Sequence, residues 1–140
     1  MSAPSPNPVT FDEIEFGAEL PVFHPDVSLA AVTRFCDVIG HRNPRFTDHE
    51  GARRQGLPGA IVPGIQSQAL LCTMIHRFAK DARIRTIDTV FRAPVLVDTR
   101  PECRGVVTDI DADAREIELD LTIVDESGVT RVLGTARVAL

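Results

Sequence analysis

Tryptophan and tyrosine are both missing from this 140-residue chain, and its seven phenylalanines make up only 5% of it. The interior must therefore be filled by Val, Ile, Leu and Ala. Rows of exposed aromatics on which single-stranded nucleic acid could stack are excluded. Basic residues are outnumbered as well: 15 Lys and Arg against 20 Asp and Glu leave a net charge of −5. Without a basic excess, counterion release cannot drive binding to nucleic acid, and an anionic membrane surface is disfavoured for the same reason. No apolar run approaches the roughly 18 residues of a membrane span. The start, Met1 to Thr10, is polar and proline-rich, unlike the basic-then-apolar pattern of a secretory signal. The expectation is a cytoplasmic protein with no nucleic acid and no membrane as partner. Cysteine is also scarce. Cys36, Cys72 and Cys103 lie far apart with no Cys-x-x-Cys pair, so they form neither a disulfide framework nor a zinc site. Three reduced thiols are expected, with Cys36 and Cys72 buried on apolar helix faces. No metal and no cofactor is implied.

What remains is one domain of ordinary size. Residues 1–9 read as a flexible N-terminal lead and residues 10–140 as the domain. Phe11, Ile14 and Phe16 lead into Gly17 as a short extended segment. Ser28 is placed to cap a helix running to Ile39, and Gly40 to end it; Leu29, Val32, Phe35, Cys36 and Ile39 form its buried stripe. His41 to Gly64, rich in Gly and Pro, reads as a loop with one short helix over His49 to Arg54. A long irregular connection in a small domain is usually functional. Ile65 to Ala79 follows as a helix whose middle, Ala69 to Ile75, is apolar on every side except Thr73. Such a helix is expected to be buried all round.

Beyond Lys80 the period changes to two. Ile117, Leu119, Leu121 and Ile123 alternate with Glu118, Asp120 and Thr122 as a half-exposed strand, and Thr130 to Ala139 follows a Glu126-Ser127-Gly128 turn. Arg85 to Arg92 and Glu102 to Ile110 are two further strands. A short N-terminal segment, a helix, an irregular loop, an apolar helix and four strands point to an α+β architecture, an antiparallel sheet wrapped around a long central apolar helix.

Three segments carry a family resemblance. Gly40-His41-Arg42-Asn43-Pro44-Arg45-Phe46-Thr47-Asp48, the turn Pro58 to Gly64, and Phe91-Arg92-Ala93-Pro94-Val95 occur in one order. Together they resemble the MaoC-like acyl-thioester dehydratases and (R)-specific enoyl-CoA hydratases. The signature of that family runs Gly-Asp-x-Asn-Pro-x-His-x-Asp, followed by a Gly-Pro-Ile-x-His-Gly-like turn and the central helix. The resemblance covers Phe11 to the C-terminus and implies a hot-dog domain over residues 10–140. It also implies an acyl-CoA or acyl-carrier-protein substrate, and a homodimer or a heterodimer with a related hot-dog subunit. Its Asp and His activate a water, while a backbone N–H at the start of the central helix polarises the thioester oxygen.

This chain departs from the family at that dyad: His41 stands at the Asp position, Phe46 at the His position, and Pro63 replaces the histidine of the turn. The resemblance then implies catalytic roles for His41 as a lone base, Asn43 beside it and Gly64 as oxyanion donor. Phe46, Pro63, Gln66 and Gln68 are placed at the substrate. Asn43 also suits turn formation, and Gln66, Ser67 and Gln68 put three polar groups into the first turn of an otherwise apolar helix, which suits a polar pocket mouth. Arg42, Arg45, Arg53 and Arg54 suit either the phosphates of CoA or a solvated face. His49 beside Asp48 reads as local capping of the short helix. Three functions follow: a lyase adding to or eliminating at the β-carbon of an enoyl or 3-hydroxyacyl thioester, a non-catalytic acyl-binding subunit of a heteromeric hydratase, and a thioesterase using Asp48.

Overall fold

The computed structural model describes residues 9–140. Of the expected lead, residues 1–8 lie outside the described residues; Val9 donates its N–H to the Phe78 carbonyl at 2.9 Å. The expected extended segment after Thr10 begins instead as a 3₁₀ turn, Phe11–Glu13, because the N–H groups of Glu13 and Ile14 close onto the Thr10 and Phe11 carbonyls. That turn buries Phe11 and Ile14 together.

Helix α1, Leu29–Ile39, is capped as the sequence predicts: Ser28 Oγ accepts the Ala31 N–H at 3.3 Å, and Gly40 ends the helix at φ +69°. Val32 and Cys36 are fully buried, whereas Ile39 is exposed, so the stripe stops one turn early. The loop that follows contains two short helices, α2 (Pro44–Thr47) and α3 (His49–Arg54), where one was expected. The first forms because Pro44 occupies an opening position and Asn43 Oδ1 accepts the Arg45 N–H at 3.1 Å.

Helix α4, Gly64–Phe78, is followed by β1 (Arg83–Phe91), β2 (Glu102–Asp111), β3 (Glu116–Val124) and β4 (Thr130–Ala139). All pairs are antiparallel, in the order β1-β4-β3-β2. Residues 17–23 run along the free edge of β2, with Gly17, Leu20 and Phe23 donating to Val107, Gly105 and Cys103. Ile117, Leu119, Leu121 and Ile123 point inward and share one core with Leu71, Met74, Ile75 and Phe78 of α4. Burying each such side chain contributes about 1.5–3 kcal/mol. Gly105 admits this packing, since a Cβ there would stand 3.3 Å from Met74 Cε and 3.2 Å from Leu20 Cδ2.

The expectation that α4 is buried all round does not hold in the single chain. Ile65 is 62% exposed, Ala69, Thr73 and His76 are exposed, and Cys72 is half-buried rather than buried. The sheet covers one face of the helix, and none of the described residues covers the opposite stripe. Strand β1 is similar: among the described residues it pairs with β4 alone, and it leaves Val90 and Phe91 exposed. Cys36, Cys72 and Cys103 are free thiols. Burial pushes the Cys103 thiol up to about 12, which keeps it protonated and unreactive.

Candidate functional site

Three segments meet at the start of α4. Residues 60–62 are pinned against residues 95–97 by Val62 N–H to Val95 O at 2.8 Å and Val97 N–H to Ala60 O at 2.9 Å, with Ile61 bridging Leu96. Ile61 N–H also donates to Arg45 O at 2.8 Å, which ties in α2. Pro63 then turns the chain into α4 but offers no capping side chain. The first intrahelical bond is Ser67 N–H to Pro63 O at 3.0 Å, so the N–H groups of Gly64, Ile65 and Gln66 lie ahead of it without a side-chain cap. They sit at the positive end of the helix dipole, and the first turn carries no acidic residue.

A cleft of about 340 Å³ opens there, lined by Gly64, Ser67, Phe91, Ala93, Pro94 and Val95 among others. Its surface is mostly apolar. Arg92 is the one ionisable residue of the lining, and a guanidinium cannot accept a proton at neutral pH. Gly64 is needed here for closeness: a Cβ would meet Phe91 Cζ at 3.2 Å and two further ring atoms at 3.4 Å, so the Phe91 ring rests directly on the helix start. Backbone donors in an apolar, half-closed setting can polarise a carbonyl oxygen strongly.

Of the residues the sequence singles out at the helix start, Gly64 and Ser67 line this cleft. His41 is exposed, with its ring centroid 5.4 Å from that of Phe46. Phe46 is buried in the core. Asn43 caps α2, as described above, and its carbonyl also accepts the Thr47 hydroxyl at 3.2 Å. Pro63 is buried behind the turn. Gln66 is 6% exposed and its Oε1 has no hydrogen-bond partner among the described residues. Gln68 Nε2 donates to Thr89 Oγ1 at 3.1 Å, joining α4 to β1. Asp48, the carboxylate of the thioesterase reading, caps α3 through Glu50 N–H at 3.1 Å. Arg42 pairs with Asp37 and Arg53 with Glu50, while Arg45 donates to Gln55 at 3.1 Å. Ser67 stands where the polar first turn of α4 suggested a pocket mouth, whereas Phe91 and Pro94 reach the cleft from a distant segment that no local pattern marks as its neighbour.

The structure also corrects the reading of His49. It does not cap its helix; its Nδ1 accepts the Ala60 N–H at 3.0 Å, so the proton sits on Nε2, which donates to Asp98 Oδ2 at 2.7 Å. Asp98, at φ +62°, also accepts the Leu29 N–H at 2.9 Å, tying the first turn of α1 to the same point. This staple holds the 60–62 segment that leads into Gly64. The hydrogen bonds from His49 and from Leu29 hold the Asp98 carboxyl below its usual range. A carboxylate with a depressed folded-state pKa contributes stability that is present above about pH 4, where an unfolded aspartate ionises, and is lost as the pH falls through the lower folded value. Asp98→Asn is therefore expected to flatten the acid limb of melting temperature against pH, while Asn tolerates the left-handed backbone. Thermal melts of both proteins across that range check it; identical acid limbs would remove the staple from the account.

A four-stranded antiparallel sheet packed on one long helix, with a cleft at that helix's N-terminus, makes this a hot-dog protein of the kind seen in (R)-hydratases and MaoC-like dehydratases. The (R)-hydratase from A. caviae involved in PHA biosynthesis matches 91% of this chain and 98% of its own length, with a TM-score of 0.86 at 22% identity. A MaoC-like dehydratase matches 96% of this chain with a TM-score of 0.86 at 25% identity, and the chain spans 43% of that longer protein. The ChsH1–ChsH2 complex from Mycobacterium tuberculosis matches 90% of this chain and 98% of the chain compared, with a TM-score of 0.82 at 16% identity. No family model and no curated protein matches the sequence. The likeness is one of fold, and the chemistry has to be read from this chain's own residues. No described helix is long and apolar enough to cross a membrane.

Proposed function

We propose that this chain is the acyl-binding subunit of a hydratase- or dehydratase-type lyase acting on an enoyl or 3-hydroxyacyl thioester of CoA or a carrier protein. The observation that carries the reading is the cleft at Gly64: uncapped N–H donors and an apolar lining, with no carboxylate and no imidazole among the lining residues. In hydration, a base takes a proton from water, the hydroxyl adds to the β-carbon, and the α-carbon receives a proton. The electrons gathered on the thioester oxygen are stabilised by donors such as the Gly64 N–H. This chain supplies the oxygen's donors and the wall of the acyl site; a related hot-dog subunit supplies the acid–base pair. The uncovered stripe of α4 and the unpaired edge of β1 adjoin the cleft and suit such a partner. One of the similar structures, ChsH1–ChsH2, is itself a complex. Three free thiols suit the reducing cytoplasm.

A second reading keeps the lyase chemistry within the chain, with His41 as lone base; its exposed ring makes no hydrogen bond among the described residues. One experiment separates the two. The purified chain is mixed with crotonyl-CoA, the enoyl absorbance is followed, and the native mass is measured alone and with a related subunit that carries the Asp and His. The expected result is acyl-CoA binding without turnover by the chain alone and turnover by the heteromer. A homodimer that turns over unaided and loses activity on His41→Ala assigns the base to His41 instead.

A further inference from the structure

We propose that Ser67 is a ligand-binding residue of the cleft, its hydroxyl donating, alongside the Gly64 N–H, to the carbonyl oxygen of a bound acyl thioester. This rests on the acyl-thioester reading above. Ser67 is only 2% exposed, yet it lines the cleft. It follows Gly64 by three residues on α4, which places both on one side of the helix. Its backbone N–H is committed to Pro63 O. Its hydroxyl is not committed: Thr73 on the same helix turns its Oγ1 back to the Ala69 carbonyl at 3.1 Å, whereas the Ser67 hydroxyl makes neither that bond nor any other among the described residues. Alanine is the better helix former, so serine at this position carries a penalty that a hydrogen bond to a ligand's acceptor offsets. The acceptor sits at the positive end of a helix, in an apolar lining whose one cation is Arg92. A polarised carbonyl oxygen fits that setting.

Calorimetric titrations of the native chain and of Ser67→Ala test it, with butyryl-CoA and with S-butyl-CoA, a thioether that has the same chain and no carbonyl oxygen. Ser67→Ala is expected to melt at or above the native temperature. It should bind butyryl-CoA about three- to tenfold more weakly, the loss of one hydrogen bond, and bind S-butyl-CoA as the native chain does. Ser67→Cys, which keeps the volume with a poorer donor, should fall between the two. Undiminished binding of butyryl-CoA by Ser67→Ala overturns the role of Ser67, as does an equal loss for both ligands, which would mean that the side chain only shapes the cleft. A native chain that binds neither ligand overturns the acyl-thioester reading itself.

Discussion

The double substitution His41→Asp, Phe46→His is expected to raise crotonyl-CoA hydration by at least about 10²-fold over the native chain, the lower end of what a positioned acid–base pair contributes. The two positions already face each other, with ring centroids 5.4 Å apart. The turn between them is held by Asn43, whose side chain caps α2 without help from either residue, so the exchange leaves the local backbone intact. Each single variant should gain little, because a carboxylate and an imidazole have to hold one water between them. The cost falls at position 46. Phe46 is 9% exposed and part of the core, and a smaller, polar ring there should cost about 2–4 kcal/mol. Melting curves therefore accompany the kinetics. A double variant that unfolds cooperatively and hydrates no faster than the native chain would show that the site is not arranged as the resemblance implies.

Gly134→Ala is expected to destabilise the protein by about 3 kcal/mol, the upper end of ordinary overpacking. A Cβ at Gly134 would stand 2.3 Å from the Asp88 carbonyl oxygen and 3.1 Å from Thr89 Cγ2. The nearer atom is backbone and cannot swing aside, so β1 has to lift away from β4. Gly134 is paired in register with Thr89. The displaced stretch therefore carries Thr89, which accepts from Gln68, and Phe91, which rests on Gly64. Loss of stability and loss of acyl-CoA affinity should come together. Urea unfolding measures the first, and Thr135→Ala, next along and exposed, is the control, with an expected change within about 0.5 kcal/mol. A Gly134→Ala midpoint equal to the native one would mean that β1 yields freely and does not hold the cleft.

Signals that act over a few residues were legible in the sequence. Ser28 and Gly40 bound α1 because capping is a contact between near neighbours. The alternation of Ile117, Leu119, Leu121 and Ile123 placed β3, and the bounds of α3 and β4 follow from local pattern and turns. Asn43 was readable as a turn-former for the same reason. The resemblance of three ordered segments added the fold, and the fold is the one observed. Less of the site was readable. Gly64 and Ser67 line the cleft, but His41, Asn43, Phe46, Pro63, Gln66 and Gln68 do not. A sequence shows which residues share a helix face; it does not show which segment that face meets.

By itself, then, the sequence determined most of the helices and strands, the α+β class and the absence of a charge pattern suited to nucleic acid. These depend on composition, on spacing within a dozen residues, and on the order of the elements along the chain. Only the tertiary structure decided that β1 pairs with β4, that α4 keeps an uncovered stripe, and that His49 bonds to Asp98, 49 residues away, rather than capping its own helix. It also decided that Ser67 and Phe91 share a cleft with Gly64. Those contacts are long-range, and their partners are chosen by how one sheet and one helix fill a common core.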